Sequence, residues 1–148
     1  MKIKTKYHGE ITIDERQIIH FENGLPGFLE EKQFIILPLT DNQIYLILQS
    51  IQTPEIAFVI TNPFFFYKDY EFKLEDGVVE QLGIKDPVDV QVFNILTIHD
   101  PFEKTTINLQ APIVINTKNN RAKQVILNHE HYTTREPLFP KTVGKEKG

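Results

Sequence analysis

The side chains that most often perform catalysis are sparse in this chain of 148 residues. Cysteine is absent, so there is no thiolate nucleophile, no disulfide framework and no cysteine metal site. Ser50 is the only serine and lies outside any Gly-x-Ser-x-Gly turn, which disfavours acyl transfer by serine. No glycine-rich loop has the lysine and the spacing of a phosphate cradle. The sequence therefore predicts a protein that is not an enzyme.

Histidines and carboxylates are the remaining groups with reactive chemistry. Three histidines stand singly in the sequence, whereas His129 and His131 flank Glu130 and would lie on one side of a strand. A metal ion would need a third ligand that the sequence does not name, so we predict no metal and no other cofactor. Paired carboxylates that hydrolyse sugars work in a cleft that usually carries tryptophan platforms, and this chain has no tryptophan.

An aromatic run is the most distinctive pattern in the sequence. Residues 64–70 read Phe-Phe-Phe-Tyr-Lys-Asp-Tyr and directly follow Asn62-Pro63. Proline lacks the amide proton that a β-ladder needs, so this dipeptide ends the buried strand before it. Because strand side chains alternate between faces, the rings cannot all be buried on one face. Two interpretations stay open for different rings: they close one end of a β core, or they form an exposed docking patch for a protein partner.

Carboxylates are dense between Asp69 and Asp89, directly after the aromatic run. This order indicates an acidic rim around an apolar centre, although most acidic residues simply face solvent. Such a rim complements a basic or amphipathic partner and steers its approach. We predict a partner-binding site in which the apolar anchors are Phe64, Phe65, Tyr67 and Tyr70 and the acidic rim is Asp69, Glu71 and Glu75.

The charge distribution also constrains the partners. The chain carries a formal charge of −4, of which the segment 141–148 contributes +2 and residues 1–140 contribute −6. An acidic body repels phosphate backbones, so direct nucleic-acid binding is disfavoured. The first residues contain no apolar signal-peptide core, and no apolar run approaches the 18 or so residues of a membrane helix. We predict no membrane partner.

Short apolar or alternating stretches dominate the rest of the chain and predict strands. They lie at residues 2–13 (two strands), 17–21, 34–39, 44–51, 57–61, 70–74, 89–98, 105–109, 112–116 and 122–127. One short helix is predicted over 75–83, capped by Asp76 and ended by Gly83, and a single helical turn over 29–33. We predict an all-β, single-domain, mostly antiparallel β-barrel-like fold with one short helix over residues 1–136, and a flexible basic C-terminal tail over 137–148.

Several segments together resemble the FliW family of flagellar assembly factors. The segments occur in family order and are Ile19–Phe28, Phe58–Pro63 with Asp69-Tyr70, the strand around Phe93–Leu96, Asn108–Asn116 and Gln124–Leu127. The resemblance covers roughly residues 3–135 and rests on the combination of these segments. It implies a cytoplasmic, non-enzymatic, β-barrel-like protein.

The resemblance also implies the partners. Proteins of this family bind flagellin before its export, and they bind the RNA-binding translational regulator CsrA and prevent it from repressing flagellin messenger RNA. Flagellin and CsrA compete for the factor. Two alternatives remain from the residues alone: an OB-like nucleic-acid-binding barrel that stacks bases on its aromatic rings, and a small-molecule-binding β-barrel with a deep enclosed pocket.

Overall fold

The computed structural model describes residues 1–128 and 131–139. Within these ranges the chain forms eleven short strands and one α-helix. The strands are β1 (Lys2–Lys4), β2 (Glu10–Thr12), β3 (Ile19–Phe21), β4 (Gln33–Pro38), β5 (Tyr45–Ser50), β6 (Ala57–Thr61), β7 (Val90–Thr97), β8 (Thr106–Ile107), β9 (Ile113–Asn116), β10 (Arg121–Gln124) and β11 (Glu136–Pro137), and the helix is α1 (Asp76–Leu82).

Seven of these strands close into a barrel. Going round the ring, β7 pairs with β6, and the order continues through β5, β4, β3, β10 and β9 back to β7. All neighbours in the ring are antiparallel except β3 and β10, which run parallel. The β1–β2 hairpin is separate, while β8 and β11 extend from β7. The predicted all-β, barrel-like and mostly antiparallel fold is confirmed.

Large apolar side chains fill the barrel. Phe34, Leu48 and Ile60 project inward from three successive strands and are fully buried. Strand β7 is apolar on both faces, because Phe93 packs in this core while Leu96 packs in a second cluster outside the barrel. The second cluster lies beneath the aromatic run, so the barrel wall supports the candidate site directly.

Helix α1 packs on the outside of the barrel through Val78 and Leu82. Gly83 ends the helix in the left-handed conformation with φ of 68°, as predicted. The predicted cap is wrong: Glu75 occupies the N-cap position without a side-chain hydrogen bond, and Asp76 is already the first helical residue. The side-chain amide of Asn116 donates to the carbonyl of Leu82 across 2.8 Å, which fixes the C-terminal end of the helix.

Two local predictions differ from the structure. The stretch 70–74 forms no strand; the amide of Glu71 instead donates to the hydroxyl of Tyr132 across 3.1 Å. The predicted helical turn over 29–33 is also absent, because the chain bends at 29–30 and Gln33 already belongs to β4. Both stretches are only five residues long, which is too short for a sequence pattern to determine the local conformation.

The first residues of the predicted tail belong to the folded body. Pro137 pairs with Thr106 in β11, and Leu138 is completely buried in the cluster beneath the aromatic run. Phe139 contacts two other phenylalanine rings at centroid distances of 5.8 and 5.6 Å. The remainder of the predicted tail, residues 140–148, lies outside the described residues.

Candidate functional site

The aromatic run begins where β6 ends. The side chain of Asn62 accepts a hydrogen bond from the amide of Phe64 across 2.9 Å, and Pro63 is buried at the first position of a single 3-10 turn over Pro63–Phe65. The amides of Phe66 and Tyr67 both donate to the carbonyl of Pro63. This turn replaces the extended backbone of β6, so consecutive rings point in different directions.

The turn divides the rings between surface and interior. Phe64 and Phe65 are exposed to 41% and 57%, whereas Phe66 and Tyr67 are half-buried. The run therefore contains both exposed and partly buried rings, as the two interpretations of it require. The first two phenylalanines are available to a partner, and the partner-binding role predicted for them stays a prediction.

Tyr70 is a buried ring that contacts the exposed Phe64. Its side chain is only 4% exposed, so the prediction that it is an exposed anchor is not met. Its ring contacts Phe64, Phe72 and Tyr132 at centroid distances of 5.9, 5.5 and 4.8 Å. Burial raises the pKa of the Tyr70 phenol to about 12. Tyr70 thus lies beneath Phe64 and contacts its ring from the interior.

Tyr67 ties the aromatic run to the C-terminal strand. Its hydroxyl donates to the backbone carbonyl of Pro137. Burial, together with the negative charge of Glu136, raises the pKa of the Tyr67 phenol to about 12. The hydrogen bond to Pro137 makes the Tyr67 ring less free to reorient than an unbonded surface tyrosine.

The predicted acidic residues are all at the surface. Asp69, Glu71 and Glu75 are exposed, in keeping with a rim of solvated carboxylates. Residues 69–89 together carry seven acidic and two basic side chains. This excess places a negative potential beside the exposed phenylalanines, which favours a partner with positive charge.

An apolar groove of about 640 Å³ adjoins the aromatic run. Its apolar lining comes from the 3-10 turn (Phe64), the segment after Tyr70 (Phe72 and Leu74), α1 and its C-terminal turn (Val79 and Ile84) and β7 (Val90 and Val92). Charged side chains of Glu71, Lys85 and Asp86 also border it. Sequence reasoning missed the groove, because its lining combines segments that only the fold brings together.

A second group of rings lies on the other side of the run. Phe66 contacts Tyr45 and Phe139, and Phe102 contacts the same two rings, with all four centroid distances between 5.6 and 6.2 Å. Phe102 and Phe139 are 40% and 41% exposed. One weak sequence signal marks Phe102 and Phe139, since each is an isolated aromatic residue next to a proline.

The structure offers less support for other kinds of site. A smaller pocket of about 320 Å³ is lined by Phe28, Phe58 and Ile95, together with neutral amides. No group of three histidine, cysteine or acidic side chains able to hold a metal exists within residues 1–128 and 131–139. Of the segment His129-Glu130-His131, the first two residues lie outside the described residues. Among the described helices, none has the length and apolar character needed to cross a membrane.

Fold and surface together define a small closed β-barrel that presents exposed aromatic rings, an apolar groove and an acidic rim. Comparison with known proteins then gives the family. The family model described as FliW protein matches residues 2–138, and the chain belongs to the FliW family.

Individual relatives are similar in sequence to this chain over nearly its whole length. The chain is 53% identical to the flagellar assembly factor FliW of Geobacillus kaustophilus (strain HTA426) over 98% of its own length and 100% of that protein. It is 52% identical to the protein of the same name from Bacillus subtilis (strain 168), and the match covers 93% of this chain and 96% of that protein. A crystal structure of the flagellar assembly factor FliW superposes with a TM-score of 0.90 at 50% identity, covering 96% of this chain and 99% of that one.

Proposed function

We propose that this protein acts in the cytoplasm as a flagellar assembly factor that binds flagellin and antagonises the translational regulator CsrA. Membership of the FliW family and the names of the relatives support the assembly role. The resemblance to the family suggests both partners. In this scheme flagellin and CsrA compete for the factor, so export of flagellin frees it to relieve repression of flagellin messenger RNA.

One structural observation carries the proposal: exposed aromatic rings adjoin an acidic rim. Phe64 and Phe65 are large apolar side chains at the surface, and Asp69 and Glu71 are exposed carboxylates close to them in the chain. Aromatic anchors with a polar rim are the usual composition of a protein–protein interface. The negative charge suits a partner whose own surface is basic, as an RNA-binding regulator requires.

The acidic rim also supplies a mechanism for antagonism. Carboxylates held next to the basic RNA groove of CsrA repel phosphates without occupying the groove. The repulsion is screened beyond a Debye length of about 8 Å at physiological salt. High salt should therefore weaken RNA exclusion more than it weakens the protein–protein contact. If exclusion stays constant while salt rises and the complex persists, steric block or allostery replaces repulsion as the mechanism.

The decisive experiment mixes the purified protein with flagellin and with CsrA, first each alone and then both together. We expect a complex with each partner and displacement of one by the other, measured by size-exclusion chromatography. A labelled flagellin-leader RNA added to CsrA should be released when the protein is added. Failure to form either complex at micromolar concentrations would refute the proposal.

A further inference from the structure

Strand β7 has an edge that its neighbour leaves uncovered. β6 pairs with β7 only through Ile60 opposite Ile95 and Thr61 opposite Asn94. In this register the next pair that would exchange hydrogen bonds is Pro63 opposite Val92, two positions beyond Thr61 and Asn94. Pro63 has no amide proton, and its carbonyl accepts from two amides of its own turn. The ladder therefore stops, and the first half of β7 continues without a partner on this side.

The direction of the backbone groups shows which of them are left open. The carbonyls of Asp89 and Ile95 point to the opposite edge of β7, where they accept from Thr117 and Asn108. Because backbone groups alternate along a strand, those of Val90 and Val92 point to the uncovered edge. The amide of Val90 donates to Pro87 within a 3-10 turn.

Three backbone groups remain at this edge. The ladder with β6 does not reach the carbonyl of Val90 or the amide and carbonyl of Val92. Outside the strand ladders, no backbone hydrogen bond to these three groups is found among residues 1–128 and 131–139. Both valines line the apolar groove, and Val92 is only half-buried. An exposed row of unpaired amides and carbonyls is the feature by which one sheet accepts a strand from another chain.

We propose that the groove binds an extended, basic segment of a partner protein, which adds a strand to β7 alongside Val90 and Val92. This inference deepens the proposed function, since it rests on the partner being another polypeptide. Main-chain hydrogen bonds to the two valines fix the register of the segment. Alternate side chains of the added strand enter the lining formed by Phe64, Phe72 and Val79.

The charge of the surroundings sets the preferred composition of that segment. Glu71, Lys85 and Asp86 border the groove, and residues 69–89, which supply much of its lining, carry seven acidic and two basic side chains. In a strand that alternates apolar residues with lysine or arginine, the apolar side chains contact the groove lining and the basic side chains face the acidic rim. A strand with glutamate at the same positions meets like charges and binds more weakly.

The test uses a short acetylated peptide that alternates valine with lysine, and a matched peptide with glutamate in place of lysine. Isotope-labelled full-length protein reports the exchange of the Val92 amide with solvent. We expect the lysine peptide to slow this exchange by about tenfold or more at saturation and the glutamate peptide to leave it unchanged. Glu71→Lys should weaken binding of the lysine peptide by about threefold to tenfold, whereas the control Glu103→Lys should not.

Peptide N-methylation distinguishes an added strand from a bound helix. Two peptides are compared, one N-methylated at its odd positions and one at its even positions. One of them should lose binding and the other should keep it, because only every second amide of an added strand faces β7. Loss of binding at every methylated position would indicate a helix and overturn the proposal, as would a Val92 amide that exchanges equally fast with and without peptide. Failure of the proposed function is separate: flagellin and CsrA would then not bind, whatever the peptide does.

Discussion

The hydroxyl of Tyr70 donates a hydrogen bond to the backbone carbonyl of Leu109, with 2.7 Å between the two oxygen atoms. The side-chain amide of Asn94 donates to the same hydroxyl across 3.3 Å. These contacts join the aromatic run to two further parts of the chain. Because Tyr70 also contacts Phe64, this hydrogen bond positions an exposed ring of the candidate site through a buried one.

Tyr70→Phe is therefore expected to destabilise the protein by about 1–3 kcal/mol, because the buried carbonyl of Leu109 loses its donor. Equilibrium urea denaturation measures the change. Tyr7→Phe serves as the control, since Tyr7 is 52% exposed, and its effect should lie within about 0.5 kcal/mol of zero. Equal effects of the two substitutions would show that the buried hydrogen bond contributes little.

Alkaline pH should weaken the fold through Tyr67 and Tyr70. Their pKa values in the folded protein are about 12, against 10.0 for an ordinary tyrosine, because burial disfavours the phenolate. The resulting stabilisation is fully present below pH 10 and is lost as the pH rises through about 12. We expect the free energy of unfolding to fall across this interval, and to fall less steeply in Tyr70→Phe. Urea denaturation at several pH values, with tyrosinate absorbance recorded alongside, tests this.

Gly24→Ala should cost about 3 kcal/mol of stability, because a Cβ atom there meets backbone and the conformation is left-handed. At φ of 69° the added atom would lie 2.6 Å from the carbonyl carbon of Leu29. Gly9→Ala is a matched control, with φ of 66° and nothing within 4 Å of the added atom. Gly9→Ala should lower the free energy of unfolding by only about 1 kcal/mol, the cost of placing an alanine in a left-handed backbone conformation. Similar midpoints for the two variants in thermal denaturation would contradict the close approach.

Asn116→Ala is expected to loosen helix α1 from the barrel. Asn116 is 2% exposed, and its amide bridges the strand β9 to the carbonyl of Leu82. Removing it leaves that carbonyl with the longer bond from Asn119, at 3.0 Å. Hydrogen exchange of the α1 amides should accelerate, while exchange in β4 and β5 stays unchanged. Uniform acceleration throughout the barrel would indicate global destabilisation instead.

Phe65→Ser should weaken partner binding without lowering stability. The ring is 57% exposed, so its loss removes little buried area within the protein but removes an anchor from the interface. We expect about tenfold weaker binding to flagellin or CsrA by calorimetry. Leu29→Ser is the control, because Leu29 is 65% exposed and lies outside the candidate site. A variant of Phe65 that binds like the wild-type protein would exclude this ring from the interface.

Local patterns were sufficient to predict most of the fold. Apolar runs such as those of β5 and β6 are strands in the structure, and Gly83 ends the helix where its conformational freedom predicts. The pairing of strands was not predictable, because alternation within a strand says nothing about its neighbour. The closing pair β3–β10 is an example, since it joins segments far apart in the sequence.

The candidate site was predictable only in part. Density of aromatic residues drew attention to Phe64 and Phe65, which are exposed. The burial of Tyr70 depends on Leu109 and Tyr132, which are distant in the sequence, so the run alone could not reveal it. For the same reason the sequence could not predict the ring contacts of Phe66 or the lining of the groove, which depend on the folded structure.

The parallel pairing of β3 with β10 bears on how the chain acquires its structure during synthesis. Residues 33–61 supply three successive antiparallel strands that pair locally and early. The ring cannot close until Arg121 and Ala122 have left the ribosome to meet His20 and Phe21. Until then β3 keeps one bare edge, and the nascent sheet is at risk of wrong association. Such distant pairing slows folding, so the rate-limiting event should be this late closure.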